Sequence, residues 1–188
     1  MKQNVIAVVG PMASGKGTLI DILQTKGFTI LSLSDAVREK TREWQLPLTR
    51  KNLQDVGDAL RKKFGGSILV ELITSRIRKY PEKKFVIDGV RNPAEVEYIK
   101  KNFNAFVIGI AASSDKRFVL LQQRKKEGDP KTREAFNKLE LRDRGVKQEP
   151  YGQQVDACLR MADIVIDNNG TLHDFKENLT YFFSTFLD

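Results

Sequence analysis

Gly10, Gly15 and Lys16 stand at the spacing of a loop that binds phosphate. The stretch VVGPMASGKGTLI, residues 8–20, follows G-x-x-x-x-G-K. In the usual pattern a Ser or Thr comes next and its hydroxyl reaches a magnesium ion. Here Gly17 intervenes and the hydroxyl arrives at Thr18. The flanks suit the chemistry. An apolar run, VIAVV, ends just before Gly10, and a helix is expected to open near Lys16. Backbone N–H groups turned inward from Ala13, Ser14 and Gly15, with the helix N-terminus, would make an anion site. Lys16 could then reach the outer phosphates of a triphosphate. The plain alternative is a small-residue strand-to-helix turn with an incidental lysine.

Three further stretches carry chemistry. FVIDGVRNPAEVEYI begins as a strand ending in Asp88. A carboxylate at the carboxyl end of a strand beside a phosphate loop can hold a magnesium-bound water; otherwise it is a cap or turn former. Gly89 lets the chain turn closely against a ligand, and Arg91 follows from the same edge. LSLSDAVREK places Asp35 and Arg38 after a second strand, and a guanidinium suits a phosphate because it can bind two oxygens at once. The third stretch holds Arg117, Arg124, Arg133, Arg142 and Arg144 on two short helices around Gly-Asp-Pro. Arginines that close over a transferring phosphoryl group stabilise its spread charge and exclude water. The competing reading is a set of solvated helix faces paired with Glu127, Glu134 and Glu140.

These residues must be positioned by a framework, and short β-branched runs alternating with longer amphipathic stretches argue for a parallel sheet covered by helices. Strands are expected at 4–9, 28–31, 85–88, 105–111 and 164–167. They are nearly all apolar, as strands buried on both faces should be. Helices are expected at 16–25, 34–43, 49–64, 67–79, 93–102, 115–126, 132–143, 152–161 and 172–186. Asn92-Pro93 reads as a helix start, and Thr171 as the cap of the last helix. Two basic, helical regions, about 38–80 and about 115–150, interrupt the alternation like insertions at one edge of a sheet.

The chain has 188 residues, 40% hydrophobic and 30% charged, enough for one globular domain with a core. No apolar run reaches the roughly 18 residues of a membrane span. The apolar N-terminal run leads into a glycine loop and reads as a first strand, not a signal peptide. Cys158 is the only cysteine, which excludes an internal disulfide and a Cys-rich zinc site; a cytoplasmic setting is expected. The formal net charge of +8 invites a nucleic-acid reading. No helix-turn-helix, zinc-finger or ribonucleoprotein motif accompanies it, and much of the excess falls between Lys116 and Lys147, where a phosphate-handling lid would want it.

G-x-x-x-x-G-K-G-T resembles the loop of adenylate kinase and related nucleoside-monophosphate kinases. Asp88 to Arg91 is similar to their D-G-(F)-P-R turn with one residue fewer, and Asp35 and Arg38 to their G-D-x-x-R. ADIVIDNNGTLHDF, residues 162–175, resembles the C-terminal section of dephospho-CoA kinase. That enzyme phosphorylates a hydroxyl and is expected to use a general base in a D-A-D motif; the equivalent stretch here is Ser-Leu-Ser-Asp, leaving Asp35 as the fallback base. LSLSDAVRE, LQDVGDALRKKFGG, VIDGVRNPAEVEYI and YGQQVDACLRMADIVIDNN resemble most closely a kinase-like P-loop domain that elsewhere precedes a deoxycytidylate-deaminase-type domain. They also look like archaeal nucleotide kinases related to adenylate and cytidylate kinases. A deaminase needs His and Cys zinc ligands and a Pro-Cys-x-x-Cys segment. With one His, His173, and one Cys, that domain is not present here. The chain would be a freestanding kinase or a domain of a longer protein, fused to or associated with a deaminase-type partner.

The resemblance implies a single domain over 1–188. Its fold would be the α/β three-layer P-loop fold, with a five-stranded parallel sheet in the order 2-3-1-4-5. It implies ATP- and Mg2+-dependent phosphoryl transfer to a nucleoside or deoxynucleoside monophosphate. Gly10, Ala13, Ser14, Gly15, Lys16, Gly17, Thr18 and Arg117 would hold ATP, with Asn168 and Gly170 bordering adenine. Asp35, Arg38, Arg61 and Arg91 would hold the acceptor. Thr18 and Asp88, the latter through water, would serve the metal. Lys16, Arg124, Arg133 and Arg142 would act on the transferring group. The alternatives are a nucleotide-sensing module without turnover and a kinase acting on a hydroxyl, as in dephospho-CoA.

Overall fold

The structure is a computed structural model and describes residues 4–124 and 129–186. Five strands form one parallel sheet: β1 (Val5–Val9), β2 (Phe28–Ser32), β3 (Lys84–Val90), β4 (Phe106–Ala111) and β5 (Ile164–Asp167). Their order is β2-β3-β1-β4-β5, as expected. All four pairings are parallel. A parallel sheet needs both faces covered, and the strands alternate accordingly. Val5, Ala7 and Val9 of β1 face one core, while Ile6 and Val8 face the other.

The described residues form the helices α1 (Lys16–Thr25), α2 (Leu33–Glu43), α3 (Arg50–Phe64), α4 (Ile68–Lys79), α5 (Pro93–Phe103), α6 (Ser114–Arg124), α7 (Arg133–Arg144), α8 (Val155–Arg160) and α9 (Leu172–Phe186). The second core contains Leu19, Ile20 and Leu23 of α1, with Phe175, Leu179, Phe182 and Phe183 of α9. The first core contains residues of α2 to α5 and of α8. A third, small core joins Met12 to Leu121 of α6 and Phe136 of α7. The lid helices are therefore packed onto the phosphate loop itself.

Local signals set the ends of several elements. The Asn92 side chain accepts a hydrogen bond from the Ala94 N–H while Glu95 reaches back to the Asn92 N–H, a reciprocal cap. Thr171 caps α9 through the Asp174 N–H at 3.2 Å, and Thr132 caps α7 through the Ala135 N–H at 3.2 Å. β3 runs two residues beyond the expected 88 to Val90, with a register shift against β1 at Val8/Val9. The helix expected from 152 begins at Val155, because the residues before it are used elsewhere. The Gly152 carbonyl accepts from Asn92 Nδ2 at 2.9 Å, and the Gln154 N–H donates to the Arg91 carbonyl at 2.7 Å. The expected end of the 115–126 helix, Glu127 and the glycine of Gly-Asp-Pro lie outside the described residues. No helix among the described residues is long and apolar enough to cross a membrane.

Candidate functional site

The loop from β1 to α1 closes over the carboxyl edge of the sheet. A side chain at Gly10, with φ of 150°, would put Cβ 2.5 Å from the Ile110 carbonyl oxygen. Gly15 has φ of 106°, and a Cβ there would collide with Asn168 Nδ2. Ala13 also takes a left-handed φ of 60°, a strained conformation for a residue with a side chain. Lys16 folds back across the loop and donates to the carbonyls of Gly10 and Pro11, both at 2.7 Å. Burial, with Arg91 nearby, pulls its ammonium down to about 8, against the opposing pull of Asp143 and Asp88.

Asp88 sits where β3 lies between β1 and β2, paired in register with Val8 and Ser32. Its Oδ1 is buried and has no hydrogen-bond partner, and the same holds for Ser14 Oγ. A buried, unpartnered carboxylate oxygen facing a cavity is a costly arrangement unless a ligand completes it. A water of a divalent cation would satisfy Asp88, and Thr18 lines the same cavity, so the chemistry of this pair is compatible with magnesium. Among the described residues no cluster of three metal-ligating side chains exists.

The cavity has a volume of about 830 Å³, within the range of small-molecule sites. Lys16, Arg38, Arg50, Arg61, Arg91, Lys116 and Arg124 line it, against a single carboxylate, Asp88. That balance of charge suits a highly anionic ligand. The loop residues Ala13 to Thr18 all contribute to its wall. Arg38, Arg61 and Arg91 reach it as expected, each steadied from behind. Arg38 is paired with Asp35 at 2.8 Å. Arg61 donates from Nε to Glu95 at 2.9 Å. Arg91 donates to Asp143 Oδ1.

Several expected roles need correction. Asp35 does not line the cavity: its side chain is 74% exposed and serves Arg38 on the surface of α2. Arg117 is buried and spent on structure. It donates to the Ala112 carbonyl at 3.0 Å, to the Met12 carbonyl at 3.3 Å and to Glu140. Arg133 lies away from the cavity, over the rings of Phe118 and Phe136 and paired with Asp115 at 2.7 Å. Arg142 donates to Asp55 at 2.8 Å and Asp58 at 2.7 Å, fastening α7 to α3 rather than facing the cavity. Of the lid arginines expected to act on the transferring group, only Arg124 faces it. Arg144 is paired with Asp156. Asn168 lines the cavity, but its amide is committed to the Ser14 carbonyl at 2.8 Å, so it braces the loop. The Gly170 carbonyl is taken by Lys116, and Gly170 does not line the cavity.

Four residues went unnoticed in the sequence. Asp143 is 3% exposed, accepts from the Met12 N–H at 3.1 Å and also from Arg91, and so joins the phosphate loop to Arg91. Asp129 accepts from Arg50 at 2.5 Å and from Arg124 at 2.6 and 2.9 Å. Burial acts to raise its carboxyl, but these hydrogen bonds outweigh burial and hold it below the usual range. Gln54 and Gln153, 8% and 7% exposed, meet amide to amide at 3.2 Å. One signal was present: α3 turns Arg50, Gln54, Gly57 and Arg61 to the interior at helical spacing, where a helix covering a core would be apolar.

The sheet order, the loop and the helical cover define a protein of the P-loop kinase fold. TT1252 from Thermus thermophilus has this fold, with a TM-score of 0.61 at 18% identity over 99% of both chains. Shikimate kinase from Acinetobacter baumannii gives 0.56 at 17% over 98% of this chain and 96% of that one. Dephospho-CoA kinase from Campylobacter jejuni gives 0.53 at 18% over 98% and 96%. At these identities the likeness is one of fold. A family profile described as an AAA domain matches residues 9–138, and the chain belongs to that family. A relative designated UPF0200 protein, from Methanoregula boonei, is 31% identical over 178 residues, 94% of each chain. The UPF0200/UPF0201 protein of Archaeoglobus fulgidus is 32% identical over 183 residues, and there this chain spans only 54% of the relative's length.

Proposed function

We propose that the chain is an ATP- and magnesium-dependent kinase whose acceptor is the phosphate of a nucleoside or deoxynucleoside monophosphate. The observation that carries this reading is the cavity wall, to which seven cationic side chains contribute, five of them paired with carboxylates that do not line it. A hydroxyl acceptor needs a base to take its proton, and Asp35, the residue expected in that role, lies outside. A phosphate acceptor is already an anion and needs none.

In this reading the loop amides and Lys16 bind the donor's outer phosphates, Lys16 exchanging the Gly10 and Pro11 carbonyls for phosphate oxygens. An acceptor phosphate oxygen forms a bond to the γ-phosphorus, the bond to the β–γ bridging oxygen breaks, and ADP carries that electron pair away. Asp88 and Thr18 would hold a magnesium ion through its waters, and the ion would supply charge neutralisation during transfer. Arg38, Arg61 and Arg91 hold the acceptor, and Arg124 closes over the transferred group. The donor base would lie toward Leu120 and Leu172, which also line the cavity. A deaminase-type domain, fused or associated, is the partner proposed from the resemblance.

The test is ATP consumption and product mass against a panel of ribo- and deoxynucleoside monophosphates and dephospho-CoA, with Lys16→Ala as control. One preferred monophosphate, lost in the variant, supports the kinase. A flat panel with tight, Lys16-dependent ATP binding would replace it with a nucleotide-sensing module.

A further inference from the structure

Among the described residues three buried side-chain polar atoms have no hydrogen-bond partner: Ser14 Oγ, Asp88 Oδ1 and Gln54 Oε1. All three belong to residues that line the one 830 Å³ cavity. The first two lie at the phosphate loop and the metal position. Gln54 lies on α3, where neither phosphate nor metal explains it. A buried amide oxygen left bare is destabilising unless something donates to it.

We infer that Gln54, held by Gln153, reads the base of the acceptor nucleotide; the inference rests on the kinase reading and names its specificity residue. Gln54 Nε2 is committed to Gln153 Oε1 at 3.2 Å. That contact uses Gln54 Nε2 and Gln153 Oε1, leaving Gln54 Oε1 to accept and Gln153 Nε2 to donate. Turning both amides over exchanges the two roles and still leaves one donor and one acceptor. A nucleobase edge with an N–H beside a ring nitrogen or carbonyl oxygen is the complement of such a pair. The surroundings suit a flat ring. Val37, Leu53 and Leu69 also line the cavity, as does Gly57, one turn along α3 from Gln54, beside Arg61 and Val37. Arg61 stands seven residues from Gln54 on the same helix, roughly 10 Å along its axis. It faces the same cavity, so one helix offers a cation for the 5′-phosphate and an amide for the base. A sugar hydroxyl is the other donor that could reach Gln54 Oε1. The apolar walls favour the base.

Direct binding tests this without turnover. Calorimetric titrations would compare the intact chain with Gln54→Met, which keeps the shape and removes the amide, and with Gln54→Glu. The probes are AMP, CMP, GMP, UMP, their deoxy forms, ATP, and ribose 5-phosphate as the base-free arm. The expected result is one preferred monophosphate, bound at least about 10-fold more tightly than ribose 5-phosphate. Gln54→Met should weaken that monophosphate by about 10- to 100-fold while leaving ribose 5-phosphate and ATP unchanged. Gln54→Glu should reorder the preference among bases, which a merely structural role would not do. Equal affinity for ribose 5-phosphate and every nucleotide, or an unaltered base preference in both variants, overturns the inference. Base-selective, Gln54-dependent binding without phosphoryl transfer would sink the kinase reading and leave this one standing.

Discussion

At the phosphate loop the key cation rests on carbonyl oxygens, whereas at the lid the cations rest on carboxylates. Lys16 is held by two neutral acceptors, Gly10 and Pro11, and burial has already weakened its hold on its proton. Arg117, Arg133 and Arg142 are each held by a carboxylate partner: Glu140, Asp115, or Asp55 with Asp58. A phosphate can displace a carbonyl from an ammonium with gain, because the charge it brings is larger. Displacing a buried carboxylate from a guanidinium strands that carboxylate. Arg117 on the buried Glu140 is therefore a fixed strut, whereas Arg133 pairs with Asp115, whose side chain is 89% exposed, and is not fixed in that way. Arg124 and Arg50 stand between, sharing Asp129 while facing the cavity.

The sharpest way to break this contrast is Arg117→Ala. It leaves Glu140 buried without its partner, a loss of about 3–5 kcal/mol, so the melting temperature should fall by roughly 6–20 °C at about 2–4 °C per kcal/mol. A variant that melts like the intact chain would show that Arg117 is not a strut. Lys16→Ala should do the reverse. Catalytic efficiency should drop about 10²- to 10³-fold, the scale of losing one oriented charge donor, with no fall in melting temperature. Scanning calorimetry and initial rates on both variants give the full comparison.

Asp129→Asn probes the intermediate pair. Freeing Arg124 and Arg50 from a competing carboxylate should tighten tripolyphosphate binding several-fold, on the order of 1 kcal/mol; weaker binding would mean that Asp129 orients the two arginines for phosphate. The smallest effect is the pH response of Lys16. Phosphate binding requires the ammonium, so as pH rises through about 8 the free protein loses that proton and nucleotide affinity should fall. Above that pH, binding should take up a proton, visible as a calorimetric enthalpy that varies with the buffer. Stability should move in the opposite direction. Between about 8 and the ordinary 10.5 the unfolded chain keeps a proton that the folded chain has released, so stability rises with pH across that window, and Lys16→Met should abolish the rise.

The phosphate loop and the sheet were legible in the sequence because their determinants are contiguous. Gly10, Gly15 and Lys16 lie within one strand-to-helix turn, and buried parallel strands announce themselves as apolar runs. Asn92-Pro93 and Thr171 were legible for the same reason, since a cap bonds to residues two or three positions on. Arg38, Arg61 and Arg91 were legible too, but their surroundings were not, because these are assembled across the chain: Gln54 with Gln153, Arg50 with Asp129, Arg91 with Asp143. The lid arginines misled for a related reason. A run of arginines shows how much positive charge is present, but the carboxylates that consume it, Asp55 and Asp58 among them, lie some 80 positions away.

Asp143 ties these two ends into one thermodynamic unit. One of its oxygens accepts from the amide of Met12 in the phosphate loop and the other from Arg91 at the acceptor edge. On the proposed kinase reading, a donor that orders the loop would fix this carboxylate, and with it the orientation of Arg91, before an acceptor binds. By reciprocity the acceptor must favour the donor by the same factor. The two substrates should then bind with positive synergy, and Asp143→Asn should reduce that factor toward unity while each substrate still binds alone.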